Sequence, residues 1–159
     1  MKGQFVFEFL IAGVIFFAIV LYAMNYLNVN VSDFKGRFYV DKLQSKALQI
    51  SEILGNEKSS VGLVEGPYLF NASKIADFNT TYCIDRAGYM KMREDFELTE
   101  KTEYGERMHN ANITLVTESG IPILQCGYTI PMWTEKAEIE RFGILNENNE
   151  LVTLRVIVW

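Results

Sequence analysis

Apolar residues run almost unbroken from Phe5 to Met24, then give way to spaced, periodic positions along the rest of the chain. Glu8 is the one charged residue in that first run. Twenty residues coil into a helix of about 30 Å, the thickness of one hydrocarbon core. Further on, Val40, Leu43, Ala47, Ile50 and Leu54 recur at steps of three and four, which predicts one apolar face of a continuing helix. Lys42, Lys46 and Glu52 point in other directions, and Gly55-Asn56 supplies a C-terminal stop. Gly36 and the asparagine-rich stretch from Asn25 to Asn30 are the expected positions for a bend or interruption.

From residue 56 the period changes. Alternation at Ile113/Leu115 and Ile121/Ile123 predicts two short strands joined by a turn at Glu118-Ser119-Gly120. The clearest hairpin is terminal, where Ile139–Leu145 and Leu151–Val158 flank the polar run Asn146–Glu150. Leu154, Val156 and Val158 share one face, Arg155, Ile157 and Trp159 the other, with Trp159 read as a packing plug. Tyr89 to Leu98 is read as a further strand. The pattern predicts an α+β fold: a long N-terminal hydrophobic α-helix followed by a small antiparallel β-sheet domain resting on its upper half.

Composition narrows the function. A chain of 159 residues with net charge −5 suits one membrane segment plus one small domain. No basic cluster is available to neutralise phosphates and no glycine-rich phosphate loop is present, so nucleic acid is not an expected partner. The acidic group Glu94, Asp95, Glu97, Glu100 and Glu103 lacks the glycine-centred loop of an EF-hand and reads as a solvated face. Cys83, Cys126 and His109 do not make a zinc pattern, and His109 reads as a surface or turn residue. Nothing local activates a nucleophile or a general base. The chain is therefore expected to be no enzyme, with no catalytic residue, no metal and no cofactor.

Three readings compete for the N-terminal segment. A secretory signal needs a shorter apolar core and a small-x-small site, which Tyr22-Ala23-Met24-Asn25-Tyr26 does not supply. A plain anchor explains the length but not Glu8. The eleven Leu, Ile, Phe and Val residues from Phe9 to Leu27 favour insertion by about 3–6 kcal/mol, whereas a central acid costs roughly 3. Insertion tolerates Glu8 without giving a reason for it, and a carboxylate inside a membrane span is a functional signal by default.

The order Lys2-Gly3-Gln4-Phe5-Val6-Phe7-Glu8-Phe9 supplies the reason. It resembles the class III (prepilin-type) signal peptide of archaeal type IV pilins: a basic and a small residue, Gln at the first mature position, and Glu at the fifth inside a long apolar helix. Val6 stands where the family often carries Ser, and the leader Met1-Lys2-Gly3 is short. Archaellins more often begin with Gly or Ala, so Gln4 tilts the resemblance toward an adhesion-type pilin.

The resemblance implies a type IV pilin-like organisation. Residues 1–3 are the leader, 4–30 a transmembrane and filament-core helix, 31–55 its amphipathic continuation, and 56–159 an extracellular β-rich domain. It implies cleavage between Gly3 and Gln4 by a prepilin peptidase. The precursor is a single-pass membrane protein with its N-terminus cytoplasmic, consistent with Lys2 staying inside. After cleavage it joins a surface filament, with other copies of itself, an assembly ATPase and a membrane platform protein as partners. The new ammonium on Gln4 lies one turn, about 6 Å along the axis, from Glu8. A neighbouring helix shifted by that distance can pair its ammonium with Glu8, so Gln4 and Glu8 are expected to select subunit register. Phe5, Phe7, Phe9, Phe16 and Phe17 are the expected core packing residues. The alternatives are a minor pilin and a non-polymerising anchored ectodomain that binds a ligand.

An extracellular setting makes a Cys83–Cys126 disulfide the expected state of the two cysteines. Four Asn-x-Ser/Thr sequons, at Asn30, Asn71, Asn79 and Asn112, exceed the roughly one expected by chance and are candidate N-glycosylation sites.

Overall fold

The computed structural model describes residues 2–102 and 105–159, with side chains at 7–30, 37–101 and 105–159. The chain divides into two compact units, Met1–Tyr39 and Val40–Trp159. Helix α1, Lys2–Leu54, fills the described part of the first and ends inside the second. It is helical throughout, which corrects the interruption expected at Gly36 or Asn25–Asn30. Asn30 Nδ2 donates to Tyr26 O at 2.8 Å, returning its amide to the carbonyl one turn back instead of capping an end. A lone glycine costs only about 1 kcal/mol, which a long cooperative helix absorbs.

In the second unit, Leu43, Ala47, Ile50 and Leu54 are buried as their spacing predicts, with Ser51 among them. Val40, expected on that face, is exposed and lies outside the packed part. The stop at Gly55-Asn56 holds. Gly55 N donates to Ser51 O at 3.0 Å, and Leu63 N then caps Leu54 O at 2.8 Å as the chain turns back.

There follow β1 (Val64–Gly66), β2 (Leu69–Phe70), α2 (Ala72–Phe78), a π-helical turn (Asn79–Cys83) and α3 (Arg86–Asp95). Then come β3 (Thr99–Thr102), β4 (Gly105–Met108), β5 (Ala111–Thr117), β6 (Pro122–Gly127), β7 (Ala137–Leu145) and β8 (Leu151–Val158). Among the described residues these strands make a six-stranded sheet, ordered β1-β2-β7-β8-β5-β6, and a separate two-stranded β3-β4 sheet. All the pairings are antiparallel except β2 with β7. Gly143 permits that parallel contact, because a Cβ there would stand 2.6 Å from Tyr68 O.

The interior strands β5 and β8 supply most of the sheet's core: Ile113, Leu115, Leu154, Val156 and Val158 are fully buried. Both predicted hairpins form, β5-β6 and β7-β8. Ile157 faces away from those residues yet is also buried. Its register partner Asn112 donates Nδ2 to Tyr128 O at 3.0 Å, tying the β6-β7 connection across that corner.

The strand expected at Tyr89 to Leu98 is corrected to helix α3. Asp85 caps it, Oδ1 accepting from Gly88 N at 2.7 Å, and Tyr89, Met92, Arg93 and Phe96 are buried at steps of three and four. The large side chains of this segment follow helical spacing, which sets the buried face of α3.

Candidate functional site

Within α1, Phe7–Asn30 forms a span of 24 residues with mean hydropathy 2.4, none of it buried against the rest of the chain. At 1.5 Å per residue it is about 36 Å long, enough to cross a hydrocarbon core with some tilt. Phe7, Phe9, Phe16 and Phe17 are all exposed. Helical periodicity sets Phe9 and Phe16 on one side and Phe7 nearly opposite, so the span is apolar all round and not along one stripe. Such a helix finds its favourable surroundings in lipid or among other helices. Phe16 and Phe17 meet edge to face at 5.8 Å, and Tyr22 and Tyr26 stack at 6.4 Å near the end of the span. Glu8 sits at the start of the span. The side chains of Gly3, Gln4 and Phe5 lie outside the described residues, although the backbone there is already helical.

Cys83 and Cys126 are joined in a disulfide, as expected. It ties the π-helical turn to β6 across a sequence separation of 43, a closure worth about 4 kcal/mol in the chain-entropy model. Cys126 is buried beside Met92 Sδ of α3 at 3.8 Å. The four sequon asparagines differ sharply. Asn79 is exposed, and Asn30 is exposed on the apolar helix. Asn71 is the N-cap of α2: its Oδ1 accepts from Lys74 N at 3.1 Å, and its Nδ2 donates to Glu65 Oε2. Asn112 is only 8% exposed and its amide is spent on Tyr128 O.

Sequence reasoning missed a polar cluster between α1 and the small sheet. Lys42 Nζ lies 2.6 Å from Glu100 Oε2, His109 Nε2 lies 3.9 Å from the same oxygen, and Lys46 reaches Glu97 at 4.0 Å. His109, expected at the surface or in a turn, is buried, its backbone N bonded to Leu98 O at 2.8 Å. Burial pushes its imidazole below the ordinary value of 6.5, more than Glu100 pulls it up. The hydrogen bond from Lys42 holds Glu100 below its ordinary range. Elsewhere Tyr82 is pushed up to about 12 by burial and by its bond to Asp95 Oδ2 at 2.7 Å. These contacts fasten elements of the outer domain to one another.

Two surface features were also missed. The β6-β7 connection exposes Trp133 at 94% and Met132 at 86%. A groove of about 680 Å³ beside β7 is lined by Pro67, Tyr68, Phe142, Arg141 and Glu57 among others. Tyr68 and Phe142 stand 77% and 67% exposed along it. The Pro-Met-Trp run in a segment without strand alternation was the legible signal for the first. The groove joins residues from distant segments and had none.

Comparison with protein-family models, with curated proteins and with solved structures finds no match to this chain.

Proposed function

We propose that this chain is a structural subunit of an archaeal type IV pilus-like surface filament of the adhesion type. The precursor is held by its apolar helix, cut between Gly3 and Gln4 by a prepilin peptidase, and assembled by helix packing. One observation carries the reading: the span Phe7–Asn30 is apolar around its whole circumference, has none of that surface buried, and still holds Glu8. A lipid anchor needs the apolar surface but gains nothing from the carboxylate. A bundle of identical helices uses both, because the apolar surface packs and the carboxylate meets the Gln4 ammonium of a neighbour. Removing one partner of such a buried pair costs about 3–5 kcal/mol, enough to enforce one register. The disulfide supports the reading independently, since such bonds persist in oxidising, extracytoplasmic settings.

The test is mass spectrometry of the N-terminal peptide from surface material. Gln4 as the first residue is the expected result. An intact Met1-Lys2-Gly3 leader on the mature surface protein would refute processing and leave an anchored ectodomain.

A further inference from the structure

Arg93 is buried on the packed face of α3, four residues after Tyr89 and three before Phe96, with only 8% of its surface exposed. Its Nη1 rests 3.9 Å from Met90 Sδ, a weak acceptor. Its Nε and Nη2 are closed to solvent and meet no hydrogen-bond acceptor among the described residues. A buried donor left without an acceptor is uncommon in a folded protein, and one carried by a charged group is the costliest kind. The last turn of α3 suits a cation, but none of its carbonyls accepts from these two nitrogens. Nearby carboxylates do not serve either, since Glu100 is taken by Lys42 and Glu97 by Lys46.

The identity of the two unpartnered nitrogens matters. Nε and Nη2 form one edge of the guanidinium, where two parallel N–H groups match the two oxygens of a carboxylate. Arg93 also lines a cavity of about 900 Å³ bounded by α3, Lys46 of α1 and the β3-β4 sheet. That volume takes a small organic molecule. Ala87, Met90 and Met108 give it an apolar wall, with Met90 and Met108 47% and 56% exposed. The lining holds more glutamates than lysines, so a doubly charged anion is disfavoured there, whereas a single negative charge is matched by Arg93.

We infer that this cavity binds a small monocarboxylate with a compact apolar body, its two oxygens on the Nε and Nη2 edge of Arg93. In the unliganded fold that edge is closed, so entry requires a side chain to move. Met90 is placed to make the movement: it shares the cavity wall with Arg93, rests its thioether beside the guanidinium, and turns about three bonds. That thioether is a weak acceptor, so the ligand replaces a poor contact with two charge-assisted hydrogen bonds. The apolar body of the ligand then lies against the methionine wall. Every residue involved belongs to the outer unit, so the site does not depend on filament assembly.

The test uses the full chain purified in detergent micelles at constant ionic strength, with benzoate as the probe and benzamide as its uncharged counterpart. Benzoate should raise the unfolding midpoint of the outer domain saturably, by about 3–6 °C at ten times half-saturation, and benzamide should not. Arg93→Lys keeps the charge without the paired edge and should weaken binding roughly tenfold or more. Arg93→Met should abolish the shift. Equal shifts with benzamide, or a benzoate shift that survives in Arg93→Met, overturn the site. A response to inorganic phosphate alone overturns the preference for a monocarboxylate, and no response to benzoate at tens of millimolar overturns the proposal outright. Should both Arg93 variants misfold, methyl spectra of the unsubstituted protein labelled at its six methionines answer the same question. With Met90 and Met108 assigned from Met90→Leu and Met108→Leu, both resonances should move saturably with benzoate and stay fixed with benzamide. Movement confined to the other methionines overturns the site.

Discussion

Arg141 of β7 donates from Nε to Ser51 Oγ of α1 at 3.1 Å, ninety positions earlier in the chain. Ser51 is fully buried and its Oγ donates a hydrogen bond to Leu48 O at 2.8 Å, so one hydroxyl joins the helix, the sheet and the charged side chain. The Arg141 guanidinium also approaches Glu52 at 3.9 Å. This is the polar clasp between the upper helix and the sheet, set among Ala47, Ile50 and Leu54.

Ser51→Ala should therefore destabilise the outer domain by about 1–2 kcal/mol, because it strands the Nε donor over an apolar helix face. Arg141 is partly exposed and water can take up some of the loss, so the lower end is expected. Arg141→Met should cost less than Ser51→Ala, since it removes the stranded donor as well, and the double variant should resemble Arg141→Met. Thermal unfolding of the three variants checks the order. Additive losses would mean that the two side chains do not couple.

Acid should loosen the outer domain in two stages. His109 titrates below its ordinary 6.5 because it is buried, so the unfolded chain binds more protons than the folded one as pH falls past that value. The stability that neutral His109 supplies is complete above about pH 6.5 and is lost as pH drops toward its lowered folded value. Glu100 is also lowered, chiefly by Lys42, so its contribution is complete above about 4.5 and is lost on further acidification. Both shifts have the same sign on stability. Denaturant midpoints from pH 7.5 to 5 should decline in the unsubstituted protein and stay flatter in His109→Gln. Parallel declines would show that His109 is not the titrating group.

Much of this architecture could be read from the pattern of residues, and the failures have physical causes. The apolar run, the Leu43–Leu54 face and both β-hairpins depend on near neighbours, which periodicity reports directly. Helix α3 was misread because its signal lies in Asp85, a cap outside the window, and in the burial of Arg93 among apolar residues. His109 reads from the sequence as a surface or turn residue, whereas its backbone bond to Leu98 O and its place just before β5 draw it inside. The groove at Tyr68 and Phe142 is made by tertiary contact alone.

Sequon occupancy should follow exposure. Asn79 presents its side chain to solvent at the start of the π-helical turn. A glycan on Asn71 attaches at Nδ2, the atom that donates to Glu65 Oε2, so it must disturb that bond, while the Oδ1 cap on α2 can persist. Asn112 is buried in β5 with its amide bonded to Tyr128 O, so a glycan there is incompatible with this fold. Glycopeptide mass spectrometry of surface material should find Asn79 modified ahead of Asn71 and Asn112 bare. A glycan on Asn112 in folded protein would mean that the β6-β7 connection does not sit as described.

Glu8 separates the two roles of the apolar helix. For membrane insertion an acid near the start of a span is a cost of up to about 3 kcal/mol, so Glu8→Leu should insert at least as well as the unsubstituted chain. For assembly the same change removes the group that would fix the axial offset between helices, leaving apolar surfaces that pack equally well at several offsets. Glu8→Gln keeps the shape and loses the charge, and it should share the assembly defect if the pairing is ionic. The expected outcome for both variants is normal recovery in the membrane fraction with filaments lost or irregular in helical symmetry. If Glu8→Leu filaments form at normal yield with unchanged symmetry, register is set elsewhere.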